Sequence, residues 1–139
     1  MNRIFLSALF LLAAAPAMAE GTSRPYAMGG WFVQFDPVIA QYNASSELFR
    51  IEGHCQSACT MFLSIRNVCI EPSARLLFHG GHNRQRQITE FATNRILATY
   101  NAKLRNYVVS NGWMKTLDFH TISGRDMIQK FGYRACPGK

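Results

Sequence analysis

The stretch GHCQSACTMFL, residues 53–63, holds the most informative pattern in the chain. It follows a short run of strand-forming residues that ends at Gly53, and it continues into small and apolar residues typical of a buried helix. Ser57 lies at the junction. Such a junction holds a side chain out of the sheet, and the first N–H groups of the helix have no partner within it. This arrangement predicts either a helix N-cap or a nucleophile beside an oxyanion-binding site.

Two further features have to be considered with this junction. The residues 75–78 predict a second core strand, and His79 follows directly at its end. Upstream, the pair Gly29-Gly30 precedes a predicted helix over residues 31–42. A serine hydroxyl becomes a nucleophile when an imidazole takes its proton, and glycines let a backbone N–H approach closely because they have no Cβ. Together these features favour acyl-transfer chemistry.

In their order and spacing, these segments resemble the ClpP protease family and its crotonase-fold relatives. Residues 53–63 are similar to the glycine-to-nucleophile segment of that family, and EPSARLLFH, residues 71–79, is similar to its Pro-x-Ala-Arg strand that ends in the catalytic histidine. Gly29-Gly30 takes the place of the family's Ser-Pro-Gly-Gly loop. The similarity covers residues 28–132 and is closest to small exported ClpP-like proteins.

The resemblance implies a fold and a set of site residues. The expected fold is α/β: a single truncated ClpP/crotonase-like domain of β-β-α turns over residues 28–139, with a long helix near the C-terminal third. The implied activity is that of a serine hydrolase acting on a peptide or acyl substrate. Its implied residues are Ser57 as nucleophile, His79 as general base, the N–H groups of Gly30 and Ala58 as oxyanion hole, and Asp118 as the third triad member.

The position of the third member is open between three residues. Asp118 is the nearest match before the last predicted helix, which runs over residues 124–131 with Ser123 as its N-cap. Asp126 lies inside that helix and is the second choice. His120 falls closer to the expected place than either aspartate.

The long helix is predicted over residues 88–109 by an apolar stripe at helical spacing. The stripe consists of Phe91, Leu97, Tyr100, Leu104 and Val108. We expect it to contact the core or a second subunit. Relatives of this kind assemble into rings, so a homo-oligomer is a further expectation.

The N-terminus predicts a cleavable secretory signal over residues 1–19, with cleavage after Ala19. The apolar run from Ile4 to Ala15 has 12 residues, whereas a membrane-spanning helix takes roughly 20. Residues 20–27, rich in Gly, Ser, Arg and Pro, predict an exposed leading segment. The expected location is therefore the periplasm, with no transmembrane segment in the mature chain.

The four cysteines, in an oxidising compartment, predict two disulfides. Sequence leaves three pairings open; we favour Cys59 with Cys69 and Cys55 with Cys136, and expect a bridge between Cys55 and Cys59 to be awkward across the junction. A structural zinc site using the four histidines is the weaker alternative, because a second ligand pair with matching spacing is missing. No metal and no cofactor is expected.

The charge bears on partners. Removing the signal deletes one arginine and no acidic residue, so the formal charge falls from +7 to +6. This balance favours anionic components of the envelope as partners, while nucleic acid is not expected to be a partner of an exported protein.

Besides the hydrolase, the sequence leaves two functions open: a catalytically silent binding or assembly module, and a crotonase-like activity on thioesters. The last is disfavoured because acyl-CoA is cytoplasmic.

Overall fold

The computed structural model describes residues 19–138. The predicted signal peptide, residues 1–19, lies outside the described residues except for Ala19. Across the described part of the chain, no helix has the length and apolar character needed to span a bilayer.

Six short strands form two three-stranded sheets within residues 19–138. The strands are β1 (Gly21–Thr22), β2 (Phe49–Ile51), β3 (His54–Gln56), β4 (Val68–Ile70), β5 (Arg75–Phe78) and β6 (His120–Ser123). The first sheet has the order β1-β2-β4 and is parallel throughout. The second has the order β3-β5-β6, in which β3 and β5 are parallel and β6 is antiparallel to β5.

The helices connect these strands and cover the core. They are α1 (Phe32–Ser45), α2 (Glu90–Leu97), α3 (Ala102–Ser110) and α4 (Gly124–Gln129), with 3-10 helices at Arg24–Tyr26, Ser57–Ser64 and Trp113–Lys115. The residues 58–63 of the second 3-10 helix are all buried, as their apolar character predicts. The result is one small mixed α/β domain.

The core beside this 3-10 helix is aromatic. Phe62 lies at its centre, with ring centroids 4.6 Å from Phe49, 5.1 Å from Tyr26 and 5.2 Å from Phe35. On the other side, the Thr60 hydroxyl lies 2.6 Å from the hydroxyl of buried Tyr100. Packing and this buried hydrogen bond hold the 3-10 helix on both sides.

The single long helix predicted over residues 88–109 is wrong, because the chain forms α2 and α3 with a break between them. Asn101 causes the break: its Oδ1 accepts a 3.0 Å hydrogen bond from the Leu104 N–H as an N-cap, and its Nδ2 donates to the Phe131 carbonyl at 2.7 Å. The predicted apolar stripe changes as well. Phe91 is 78% exposed, while Ala92 and Ile96 are buried.

Residues 20–27 contact the domain over part of their length, while Glu20, Arg24 and Pro25 are exposed. Gly21–Thr22 pairs with β2 as an edge strand, and Gly21 and Ser23 are buried. The Ser23 side chain also bonds the backbone of Glu52 in both directions, accepting from its N–H at 3.0 Å and donating to its carbonyl at 3.2 Å.

The favoured disulfide pairing is wrong. The bridges join Cys55 to Cys59 and Cys69 to Cys136. The first closes across the Ser57 junction because the turn of the chain there brings the two Cα atoms to 5.3 Å. The second ties the C-terminal segment to β4, next to a parallel bridge between Ile70 and Ala135. All four cysteines are oxidised, so none is a thiolate ligand for zinc.

Candidate active site

The pairing of β3 with β5 brings two of the predicted site residues to one sheet edge. The strands are parallel, with Gln56 opposite Leu77. Their carboxyl ends therefore lie at the same edge, which is where ligands bind in open α/β sheets. Ser57 follows β3 directly, and His79 follows β5 directly. Both residues line the same cleft.

Ser57 has a backbone conformation that is unusual for a residue with a side chain. Its φ is 55°, in the left-handed region, at the first position of the 3-10 helix. A non-glycine residue held there costs on the order of 1–3 kcal/mol and persists where its surroundings enforce it. One such constraint is the Thr60 hydroxyl, which donates to the Ser57 carbonyl at 2.7 Å.

The Cys55–Cys59 bridge is a second constraint on this turn. Cys55 lies on β3 and Cys59 in the 3-10 helix, so the bridge spans Ser57 from both sides. Both cysteines are fully buried. The serine is thus presented on a short covalent loop whose ends are fixed in the core.

The glycine pair packs directly against this turn. Gly29 has φ +75°, and a Cβ on it would come within 2.9 Å of the Gln56 carbonyl oxygen and 3.0 Å of the Ser57 Cβ. Only glycine allows this approach without strain. The segment is anchored by the Gln56 N–H, which donates to the Ala27 carbonyl at 2.9 Å, and by the Gln56 amide, which donates to the Met28 carbonyl at 3.0 Å.

Two backbone N–H groups are available beside Ser57. Ala58 is the second residue of the 3-10 helix, so its N–H has no acceptor within that helix. None of the described hydrogen bonds uses the Gly30 N–H. Gly30, Ser57, Ala58 and His79 all line a small recess of about 40 Å³ next to the main cleft. A recess with these donors has the composition of an oxyanion hole.

The His79 ring is oriented by the main chain. Its Nδ1 lies 2.6 Å from the Gly80 carbonyl oxygen. A carbonyl can only accept, so Nδ1 carries the proton and Nε2 is the basic nitrogen. Burial lowers the pKa of His79 below its usual 6.5, and the nearby His82 and Arg86 lower it further, against the opposing effect of the Gly80 hydrogen bond. The ring is therefore neutral at neutral pH.

Among residues 19–138, no acidic side chain bonds Nδ1 of His79, whose partner is the Gly80 carbonyl. Asp118 is exposed, and its described hydrogen bond is from its own N–H to the Thr116 hydroxyl at 2.8 Å. Asp126 pairs with Lys130 at 3.1 Å on α4. His120 stacks on Trp113, with ring centroids 4.7 Å apart. In this structure, the Gly80 carbonyl occupies the position that a triad carboxylate would take.

The main cleft has a volume of about 370 Å³. It is lined by Met28, Gly30, Trp31, Gln56, Ser57, His79, His82, Arg86, Leu117 and Phe119. No acidic residue of the described chain is among them. No hydrogen bond between the Ser57 hydroxyl and the His79 ring is found among the described residues, and such contacts are often long until substrate binds.

The sequence analysis did not predict His82, Arg86 or the apolar side chains that line the cleft as site residues. The His82 ring stacks on that of His79 at 5.7 Å and holds its own Nδ1 on the Asn83 carbonyl at 2.8 Å. The sequence signal was the His-Gly-Gly-His run at 79–82, whose glycines pack closely against the backbone of Met114 and Ala92. Within residues 19–138, no group of three or more His, Cys, Asp or Glu side chains is arranged to hold a metal ion.

Comparisons of the chain with protein-family models, with curated proteins and with solved structures found no match.

Proposed function

We propose that this protein is a periplasmic serine hydrolase of the ClpP-like type, cleaving a peptide or another acyl substrate with Ser57 as nucleophile and His79 as general base. The observation that carries the proposal is the conformation of Ser57. Ser57 is not the N-cap that the sequence also allowed, because Gln56 takes that position and no side chain caps the helix. Instead Ser57 is held at φ 55° beside a disulfide and a glycine contact, in one cleft with an oriented neutral histidine. Strain of this kind concentrates at functional sites.

The arrangement supports a two-step acyl transfer. The Ser57 hydroxyl adds to the substrate carbonyl as Nε2 of His79 takes its proton, and the N–H groups of Gly30 and Ala58 stabilise the oxyanion. The protonated histidine then gives this proton to the leaving amine or alcohol, which leaves an acyl-serine. A water molecule, deprotonated by His79, adds to the acyl-serine, and the proton returns to Ser57 as the acid is released.

The Gly80 carbonyl takes over part of the work of a triad carboxylate. It fixes the tautomer of His79 and the plane of the ring, as a carboxylate would. A neutral carbonyl stabilises the charged imidazolium less than a carboxylate does. We therefore expect a slower hydrolase than one with a complete Ser-His-Asp triad.

The test is covalent labelling with a fluorophosphonate. The mature, oxidised protein should be labelled at Ser57, and Ser57→Ala should abolish labelling. Ser64→Ala is the matched control, since Ser64 ends the same 3-10 helix and donates to the Met61 carbonyl at 2.8 Å, away from the cleft. Labelling that survives in Ser57→Ala, or is absent from a folded wild-type protein, would contradict the proposal.

A second candidate is a non-catalytic binding module at the envelope. It is favoured by the absence of a Ser57–His79 hydrogen bond and of a carboxylate at His79 among the described contacts. The same labelling experiment separates the two, because a folded but unreactive wild-type protein is the outcome that this candidate predicts.

A further inference from the structure

A basic loop over residues 83–87 forms one side of the cleft. It is closed by an antiparallel bridge between His82 and Ile88 and by a 3.0 Å hydrogen bond from the Asn83 N–H to the Gln87 carbonyl. Within it, Arg86 has φ 59° and lines the cleft with Ser57 and His79. The short, cross-bonded loop thus holds a guanidinium beside the two reactive residues.

The two arginines of this loop have different surroundings. The guanidinium of Arg84 lies over the Trp31 ring, 5.9 Å from its centroid, and Arg84 does not line the cleft. Arg86 takes part in none of the ion pairs found among the described residues. Since no described acidic residue lines the cleft either, the positive charge of Arg86 has no counter-charge there.

The remaining wall of the cleft is apolar and partly open. Met28 is 72%, Trp31 52% and Phe119 48% exposed, and all three line the cleft. Exposed large apolar side chains grouped at a cleft are typical of a binding site. The cleft therefore offers exposed apolar side chains and one arginine together with a potential nucleophile.

We infer that the substrate of this site carries a carboxylate close to the bond that is cleaved, bound by Arg86, and an apolar group that packs on Met28, Trp31 and Phe119. A guanidinium binds a carboxylate through two parallel N–H donors, which fixes orientation as well as charge. This inference rests on the proposed hydrolase function and adds a substrate class to it. The carboxylate belongs either to the acyl group or to the leaving group.

Matched ester pairs test the inference and distinguish these two sources. In the acyl arm, para-nitrophenyl glutarate is compared with its methyl ester. In the leaving-group arm, the butyrate ester of meta-hydroxybenzoate is compared with that of methyl meta-hydroxybenzoate. In one of the two arms, kcat/KM should be higher for the ester with the free carboxylate than for its methyl ester. Arg86→Gln should reduce that ratio about tenfold, as expected for loss of a charge-assisted hydrogen bond. Arg84→Gln is the matched control and should keep the preference.

The outcomes separate the two proposals. Ser57-dependent hydrolysis without a carboxylate preference in either arm would overturn the inference and leave the hydrolase standing. A preference that is unchanged in Arg86→Gln would also overturn it. If none of the four esters is hydrolysed in a Ser57-dependent way, the hydrolase is refuted, and the inference with it.

Discussion

The two disulfides should differ in what their removal by paired alanine substitutions changes. Loss of the Cys69–Cys136 bridge should mainly lower the stability, and loss of the Cys55–Cys59 bridge should mainly slow the labelling of Ser57. The Cys69–Cys136 bridge closes a loop with a sequence separation of 67, and the Cys55–Cys59 bridge one of only 4. In the loop-entropy treatment, these separations correspond to about 4.4 and about 1.9 kcal/mol at 25 °C. The first is a large share of the roughly 5–15 kcal/mol that holds a domain of this size.

Reactivity should follow the reverse order. Cys55→Ala with Cys59→Ala frees the turn that presents Ser57, and a displacement of the nucleophile there should slow fluorophosphonate labelling on the order of tenfold or more. Cys69→Ala with Cys136→Ala leaves the cleft intact, so the folded fraction should label at the wild-type rate. Urea unfolding gives the free energies, and labelling is followed at a urea concentration where both variants are folded.

Each pair of substitutions is the control for the other, because both remove two sulfur atoms from largely buried positions. The reasoning is refuted if loss of the short bridge costs more stability than loss of the long one. Unchanged labelling of the Cys55→Ala, Cys59→Ala variant would separately refute the role assigned to the bridge at the junction.

Four further predictions concern the cleft. Ser57→Gly should abolish labelling. Its free energy of unfolding should nevertheless be about 1 kcal/mol higher than that of Ser57→Ala, because glycine adopts the left-handed backbone conformation without strain. Equal stabilities of the two variants in urea would contradict this. Gly29→Ala should slow labelling and destabilise the protein by about 1–3 kcal/mol. The control is Gly112→Ala, at φ +72° with no atom within 4 Å of its added Cβ, which should lower stability only through backbone strain and leave labelling unchanged. Equal losses of labelling in both would argue against the glycine contact. His79→Gln should lower kcat/KM about 10²–10⁴-fold and His82→Gln far less. Because the base must be neutral and burial lowers its pKa below the usual 6.5, the wild-type rate should fall as the pH is lowered, with a midpoint below pH 6.5; a midpoint above 6.5 would contradict the assigned base.

Several local elements were predictable because they have a signal of their own. The strands β2, β4 and β5 follow short apolar runs that Gly or Pro end, and α4 begins where Ser123 accepts a hydrogen bond from the Asp126 N–H. The strands β1, β3 and β6 were missed, since only their pairing with β2 or β5 makes these residues extended. Pairing across the chain is not encoded in any short window.

The sequence indicated that Ser57 and His79 lie together, but it did not indicate the residues that surround them. Ser57 and His79 each follow a strand, and parallel pairing alone brings them to one edge. The acceptor for His79 is a backbone carbonyl, which has no sequence signal of its own. Arg86 reaches the cleft only through the hydrogen bonds that shape its loop, so its place could not be read from composition.

The disulfide connectivity also has a consequence for how the chain matures. Each cysteine pairs with its immediate neighbour in sequence, first with second and third with fourth. An oxidant that joins thiols in the order in which they emerge therefore produces the native set directly. We expect oxidative maturation of this protein to proceed without an isomerase, with the second bridge forming only after Cys136 has emerged.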